Sequence, residues 1–88
     1  MKIFFESSFG KDLKSIKNKE LYRRVENLIA EVKTANELSE IRQLKKMRGY
    51  TTFYRIRLGN YRIGIEALGN EIVFVRILHR RDIYKYFP

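Results

Sequence analysis

The stretch TTFYRIRLGNYRIGIEALGNEIVFVRIL, residues 51–78, decides the fold. Polar and apolar side chains alternate along much of it, and two short turns that contain glycine interrupt it. The three runs that result are residues 51–58, 61–68 and 72–78. A period of two between glycine-containing turns is typical of consecutive antiparallel strands. The stretch therefore predicts a three-stranded β-meander.

The residues before the meander predict one strand and two helices. Residues 2–6 indicate a short first strand. Ser7 and Ser8 are suited to cap a helix that begins near Phe9, and Asn18 interrupts the helical pattern that follows. Beyond it, apolar side chains recur on one face of a second helix: Leu21, Val25, Leu28, Ile29 and Val32.

Two further segments complete the predicted order. Residues 38–49 fit either a short helix or an irregular crossing, and residues 80–87 fit one or two helical turns. The two long helices form an αα-hairpin whose apolar stripes need a sheet to cover. We predict a single α+β domain, residues 1–88. It has an N-terminal strand, the αα-hairpin, a three-stranded antiparallel meander and a short C-terminal helix, with both long helices on one face of the sheet.

Composition limits the possible functions. The chain has no Cys and one His, which excludes disulfides and a Cys/His metal site, and no cofactor is expected. No apolar run approaches the ~20 residues of a membrane span, and the N-terminus lacks a signal-peptide pattern, so we expect a cytoplasmic protein. The net charge is +9, and residues 45–88 carry ten Lys and Arg against three Asp and Glu. A cationic half indicates a polyanion or an acidic protein as partner, and a solvated basic surface is the plainer alternative.

Strand parity assigns the side chains of the meander to two faces. We expect Gly59 and Asn60 to form a two-residue loop. One face, directed at the helices, is then apolar: Tyr54, Ile56, Leu58, Tyr61, Ile63, Ile65 and Ala67. The other face carries Arg55, Arg57 and Arg62, with Arg57 directly opposite Arg62.

The last strand of the meander allows two registers. A three-residue loop, residues 68–70, would place Arg76 beside Arg62 and enlarge the basic face. It would also send an apolar row to the core: Val73, Val75 and Ile77. A two-residue loop would reverse these faces. We expect the three-residue loop, because it keeps an apolar row inside.

The facing arginines are informative, because like charges directly opposite on a sheet are destabilising. A bound anion would offset the repulsion, and a guanidinium group donates two parallel hydrogen bonds to phosphate. The alternative is a solvent-facing surface whose arginines splay into water. A turn after the last strand would bring His79 or Arg81 towards the basic face, with Tyr84 nearby to stack on an unpaired base. Each also has an ordinary explanation, as a hydrogen-bonding histidine, a surface charge and a core aromatic residue.

Two segments carry a resemblance to a known family: YRIRLGNYRI at residues 54–63 and HRRDIY at residues 79–84. Together with the helical hairpin and LKKMRG at residues 44–49, they resemble RelE-like toxins of the RelE/ParE superfamily over essentially the whole chain. The resemblance implies the toxin of a type II toxin–antitoxin pair, an endoribonuclease that enters the ribosomal A site and cuts mRNA. In such enzymes the 2′-hydroxyl of the RNA attacks the adjacent phosphorus and leaves a cyclic phosphate.

The resemblance also implies site residues. A catalytic set would hold the phosphate, stabilise its transition-state charge, exchange protons and stack on a base: Arg62, Arg81, His79 and Tyr84. A second set would bind RNA around it: Arg55 and Arg57 from the resemblance, Arg76 from the expected strand register, and Arg80 from the turn that carries Arg81. No metal ion is implied.

The sequence departs from the family at two places. Arg is effectively never deprotonated, so Arg55 and Arg57 cannot act as general base where some members have lysine. Other relatives use a Glu and a His for this purpose, which leaves His79 and Glu66 as candidates, although pairing with an arginine is the plainer role for Glu66. Leu78 stands where many relatives have Gly before the His-Arg pair, and this alters the turn that aims the residues after it.

The implied partners are a cognate antitoxin protein, mRNA and the ribosome, with operator DNA reached through the antitoxin. Two other functions fit the same residues. A non-nuclease toxin directed at gyrase, like the ParE branch, would not need the arginine face. An inactive module would bind RNA or an antitoxin without cleavage.

Overall fold

The computed structural model describes residues 1–88, and its elements follow the predicted order with one addition. In chain order they are β1 (Lys2–Phe5), α1 (Ser7–Ser15), α2 (Lys19–Thr34), a 3₁₀ helix (Leu38–Glu40), β2 (Leu44–Lys46), β3 (Phe53–Leu58), β4 (Tyr61–Leu68), β5 (Glu71–His79) and α3 (Ile83–Tyr86). The addition is β2, in the segment that the sequence left open between a short helix and an irregular crossing. A strand of three residues is too short to show a period of two. No helix is both long and apolar enough to cross a bilayer.

The five strands form one sheet in the order β1-β5-β4-β3-β2. All neighbouring strands are antiparallel except β1 and β5, which run parallel. The meander of β3, β4 and β5 is antiparallel, as predicted, and β1 adds a parallel strand at its edge. The chain leaves β1 through both long helices, begins the rest of the sheet at the opposite edge and returns strand by strand to β1. Such a long crossover connection is what a parallel pair requires.

The main core lies between the two long helices and one face of the sheet, as predicted. From α2 it takes Leu21, Val25, Leu28 and Val32, which are buried, while Ile29 is half-buried and packs against them. The alternating strands supply the other half: Ile56, Ile63, Ile65, Ile72, Phe74 and Ile77, each with no exposed surface. Both helices pack on this one side, because it is the side on which the strands direct their apolar rows.

The start of α1 differs from the prediction. The helix begins at Ser7, and the capping position is Glu6, whose side chain makes no capping hydrogen bond. Instead of capping, the hydroxyl of Ser8 donates a hydrogen bond of 2.6 Å to the carbonyl of Val75. Beyond the end of β1, α1 thus covers the edge of β5. Asn18 separates the helices and caps α2, since its side chain accepts from the backbone N–H of Leu21 at 3.1 Å.

The first turn of the meander has the predicted register and the second does not. Leu58 lies opposite Tyr61 across Gly59 and Asn60, as expected. At the second turn Leu68 pairs with Glu71, so the loop has two residues and not three. It therefore sends two other side chains of β5, Ile72 and Phe74, to the main core.

After the second turn, a β-bulge in β5 reverses which face its alternating side chains occupy. Gly64 pairs with Arg76 while the next residue, Ile65, pairs with Phe74, which leaves Val75 as the extra residue. A bulge reverses the alternation that follows it. Ile77 therefore faces the main core as predicted, although Val73 and Val75 do not.

A second, smaller apolar cluster lies on the opposite face of the sheet. Its buried members are Met47, Ile83 and Phe87, with Phe53, Val75 and Leu78 packed against them. The C-terminal segment is held here by the ring of Phe87, which lies directly over Gly64 in β4. A Cβ atom on Gly64 would be 2.7 Å from three atoms of that ring. The cluster therefore fixes α3 to the face on which the sequence places the arginines.

Candidate functional site

The face opposite the helices carries the predicted arginine group. Arg57 and Arg62 are directly opposite in the β3–β4 ladder, and Arg55 is two residues from Arg57 on the same strand. Arg55 and Arg62 are half-buried and Arg57 is exposed. We call these three residues the arginine face. The structure contains two ion pairs, Arg42–Glu31 and Arg76–Asp12, and neither involves this face.

Arg62 is at the electrostatic centre of the arginine face. Partial burial, followed by the neighbouring charges of Arg55 and Arg57, lowers the pKa of Arg62. Its Nη1 donates to the carbonyls of Gly59 and Tyr61, each at 2.9 Å, so neutral oxygens are its partners. A guanidinium remains protonated despite such a shift. The direction shows that the cation lies in surroundings that disfavour positive charge, which a bound anion would relieve.

Tyr84 lies beside the arginine face, as predicted. Its hydroxyl accepts a hydrogen bond of 3.2 Å from Nε of Arg55, whose Nη1 donates to the carbonyl of Gln43 at 3.0 Å. Tyr84 is 61% exposed, so its ring is free to contact a ligand. The preceding Ile83 is completely buried in the small cluster, and this anchors the helical turn that presents Tyr84.

Arg76 is not beside Arg62, which contradicts the predicted position. The residue opposite Arg62 on β5 is Leu78. Arg76 instead donates two hydrogen bonds to the carboxylate of Asp12 in α1, at 2.7 and 3.1 Å, and this raises the pKa of Arg76. The same carboxylate accepts from the backbone N–H of Ile77 at 3.1 Å. The β-bulge and the covering helix therefore make Arg76 part of the α1–β5 contact.

The structure separates His79 from the arginine face. His79 pairs with Tyr61, and their rings make an edge contact with centroids 5.7 Å apart. Tyr61 packs against the main core, so both rings are on the side of the helices. The Nδ1 atom of His79 accepts from the backbone N–H of Arg81 at 3.2 Å, which closes the turn after β5.

The two arginines of that turn are both exposed. Arg80 is one of the charges that lower the pKa of Arg62, whereas Arg81 is not. The side chain of Arg81 makes no hydrogen bond or ion pair within the chain. Arg80 is thus the turn arginine whose charge is felt at the arginine face. Leu78, the last residue before the His79–Arg81 turn, packs into the small apolar cluster.

Glu66 does not pair with an arginine. Its carboxylate accepts a hydrogen bond of 3.3 Å from the hydroxyl of Thr52. Four residues along β4 separate Glu66 from Arg62, about 13 Å for an extended strand. Glu66 is therefore too distant to remove a proton from a group held by Arg62.

Basic residues of β2 and the segment after it extend the arginine face, and their position there was not predicted from the sequence. Lys45 pairs with Arg55 across the β2–β3 ladder. With Lys46 and Arg48 it lines a pocket of about 280 Å³ that also includes Arg55 and Tyr84. Consecutive lysines before a glycine were visible in the sequence, but their face was not, because β2 itself was not recognised.

Nowhere in the chain do three or more His, Asp or Glu side chains come together as metal ligands would.

The fold and this basic face define a class, the small α+β toxins of the RelE/ParE superfamily, and comparisons with known proteins agree. The sequence model of the family described as the ParE toxin of the type II toxin–antitoxin system parDE matches residues 3–84. Toxin RelE3 of Methanocaldococcus jannaschii is 46% identical to the chain, with all of both proteins covered. The chain therefore belongs to the ParE toxin family of type II toxin–antitoxin systems.

Solved structures show the same fold. A chain of the RelB–RelE antitoxin–toxin complex from Methanococcus jannaschii is 45% identical, with a TM-score of 0.82 over 97% of this chain and 99% of that one. A chain of the archaeal RelE–RelB complex from Pyrococcus horikoshii has a TM-score of 0.73 at 23% identity, over 90% and 93%. The isolated RelE toxin of E. coli has a TM-score of 0.64 at 14% identity, over 96% and 90%.

Proposed function

We propose that this toxin is an endoribonuclease that cuts mRNA on the ribosome. The arginine face is the observation that carries the proposal. Three arginines share one face of the sheet there without a carboxylate partner, and partial burial together with like charge disfavours the cation of Arg62. A phosphodiester would supply the negative charge that this face lacks. The negative charge on its oxygens increases further in the transition state.

The reaction is a transesterification within the RNA. The 2′-oxygen attacks the adjacent phosphorus as the bond from phosphorus to the 5′-oxygen breaks, giving a 2′,3′-cyclic phosphate and a 5′-hydroxyl. One proton leaves the 2′-hydroxyl and one reaches the departing 5′-oxygen. Arg62 would hold the phosphate and stabilise the charge that develops on it, with Arg55, Arg57 and Arg80 around it. Arg81 is free on the turn to assist the leaving oxygen.

Proton transfer is assigned to groups that lie beside the arginine face. Arg55 and Arg57 cannot serve, because a guanidinium does not lose its proton. Tyr84 and Lys45 are the neighbours of Arg55 that can exchange one, and the exposed ring of Tyr84 is also placed to stack on a base. His79 has a different part in this proposal: it closes the turn that positions Arg80 and Arg81.

The proposed partners are a cognate antitoxin, mRNA and the ribosome, with operator DNA contacted through the antitoxin. The antitoxin is supported by the 45% identical chain from a RelB–RelE antitoxin–toxin complex. A net charge of +9 also suits an acidic protein partner.

A second candidate is a toxin that acts on gyrase without cutting RNA. Two observations favour it: the matching family model is that of ParE toxins, and neither His79 nor Glu66 makes a hydrogen bond to an arginine of the arginine face. The activity of a nuclease would depend on Arg62, whereas that of a gyrase-directed toxin would not.

Cell-free translation with purified toxin tests the proposal, with the 3′ ends of mRNA mapped in the presence and absence of ribosomes. Arg62→Ala is compared with Arg23→Ala, an exposed arginine of α2 that makes no ion pair. We expect cuts within ribosome-bound codons for wild type and Arg23→Ala, and a loss of about 100-fold or more for Arg62→Ala. Intact mRNA with wild-type protein, together with inhibited DNA supercoiling by gyrase, would replace the nuclease by the second candidate.

A further inference from the structure

A groove of about 400 Å³ runs between α2 and the end of β3, around the sheet edge from the arginine face. Leu28 and Leu58 form its apolar floor, and its walls carry three arginines: Arg24, Arg42 and Arg57. They come from α2, from the segment before β2 and from β3, so only the fold brings them together.

The groove has an excess of positive charge. Its one acidic residue is Glu31, which lies 3.5 Å from Arg42. Both members of that pair are well exposed, with 83% and 49% of their side chains accessible, and such a pair contributes little. Arg24 and Arg57 have no carboxylate partner. At least two guanidinium groups are therefore available to a ligand.

The position of Arg24 depends on the turn between β3 and β4. A Cβ atom on Gly59 would lie 2.8 Å from Nη1 of Arg24, so the guanidinium group rests on the bare backbone of that turn. The φ angle of Gly59 is +60°, a left-handed conformation that glycine adopts readily. Gly59 thus both makes the tight turn and leaves room for Arg24.

Backbone strain marks the other wall of the groove. Gln43 has a φ angle of +64°, the one positive φ outside glycine. Its carbonyl accepts from the backbone N–H of Arg57 at 3.1 Å and from Nη1 of Arg55 at 3.0 Å. These two bonds hold the strained turn against β3 and keep Arg42 beside Arg57. Strained residues of this kind are often found where a ligand is held.

Arg57 belongs to both surfaces, since it is opposite Arg62 in the sheet and also lines the groove. From this continuity we propose that the groove is a second phosphate subsite, which binds the RNA backbone next to the phosphate held at Arg62. The inference rests on the proposed function for the identity of the strand. Arg24 and Arg42 would bind a neighbouring phosphate through paired hydrogen bonds, and Arg57 would connect the two subsites.

Salt-dependent binding of a single-stranded 2′-O-methyl oligonucleotide tests the subsite, because this probe lacks the attacking hydroxyl. The variant Arg24→Ala/Arg42→Ala is compared with Arg23→Ala/Lys33→Ala, which removes the same charge from exposed positions of α2 outside the groove. For each lost phosphate contact, the slope of log K against log salt should become shallower by about 0.7. We expect about tenfold weaker binding for the groove variant and less than about twofold for the control.

Three results would overturn the subsite. Binding of the groove variant equal to that of the control would show that only total charge matters. Unchanged RNA binding together with lost binding of the cognate antitoxin would make the groove a protein interface. Equal competition by inorganic phosphate and by the oligonucleotide would show that no strand is recognised.

Cleavage assays separate this proposal from the nuclease proposal. A wild-type protein that binds the probe through the groove but leaves mRNA intact would remove the nuclease proposal alone. Normal cleavage by Arg24→Ala/Arg42→Ala, with unchanged RNA affinity, would remove the subsite alone. Arg24→Lys keeps the charge but loses the paired donors, so we expect intermediate affinity.

Discussion

The two faces of the central sheet differ in what their residues do for stability. On the helix-covered face, side chains such as Ile63 and Phe74 have no exposed surface. On the other face the same strands place Arg57 opposite Arg62, a pairing that opposes folding. The comparison shows that one face holds the fold together strongly enough for the other to carry repelling charges.

The face opposite the helices is not uniform, because a small apolar cluster lies beside its arginines. Met47, Ile83 and Phe87 are buried there, although they lie apart from the main core. The cluster anchors the C-terminal segment, and that segment presents Tyr84 to Arg55. Three buried residues thus position the site, whereas thirteen make up the main core.

The largest expected effect comes from the helix-covered face. Phe74→Ala removes a fully buried ring and should lower the free energy of unfolding by about 3–5 kcal/mol. Chemical denaturation measures the change. Phe4→Ala is the control: Phe4 is 47% exposed, and its truncation should cost less than about 1 kcal/mol. Equal losses would mean that the main core does not dominate stability.

The second largest expected loss of stability concerns the contact between Asp12 of α1 and Arg76 at the edge of β5. Asp12→Ala leaves Arg76 and the N–H of Ile77 without their shared partner, and we expect a loss of about 2 kcal/mol. A double-mutant cycle with Arg76→Met should show coupling between the two side chains. The RNA affinity of the Arg76→Met variant should stay within about twofold of wild type, because Arg76 is not on the arginine face. A large loss of affinity with unchanged stability would restore the sequence-based role of Arg76.

The small apolar cluster should affect function more than stability. Gly64→Ala places a methyl group against the ring of Phe87, and overpacking of this kind costs about 1–2 kcal/mol. Because the displaced segment carries Tyr84, mRNA cleavage should fall by about tenfold at a temperature at which the variant remains folded. Adding Phe87→Leu should restore part of the activity by making room for the methyl group. Full activity of Gly64→Ala would show that Tyr84 is positioned in another way.

The smallest expected effect on stability is a gain and not a loss. Arg57→Thr removes the like-charge pair and should stabilise the protein by about 0.2–1 kcal/mol while weakening RNA binding. Arg57→Lys, which keeps the charge, should leave stability nearly unchanged. A destabilised Arg57→Thr variant would show that the facing arginines do not repel each other in the folded protein.

The sequence predicted the order of the elements, the helix-covered side of the sheet and the pairing of Arg57 with Arg62. These features depend on local spacing: a period of two in the strands, a helical stripe on α2 and a two-residue turn at Gly59. It also predicted that Tyr84 would lie near the arginines. The strand, helix and turn patterns are retained in the fold because each is set by neighbours in the chain, whereas the contact of Tyr84 with Arg55 spans 29 residues and depends on the small apolar cluster.

Only the tertiary structure decided the position of Arg76, the side on which His79 lies and the contribution of β2. The two-residue turn and the β-bulge at Val75 together shift β5 by two residues, so Arg76 pairs with Gly64 and not with Arg62, and no residue pattern predicts the bulge. The carboxylate that holds Arg76 is 64 residues away in the chain, and Lys45 of β2 reaches the arginine face only because it pairs with Arg55 of β3. The sequence by itself determined which residues could form a basic face, because strand parity is local. The fold determined which of them do, because registers, bulges and distant partners depend on packing between elements.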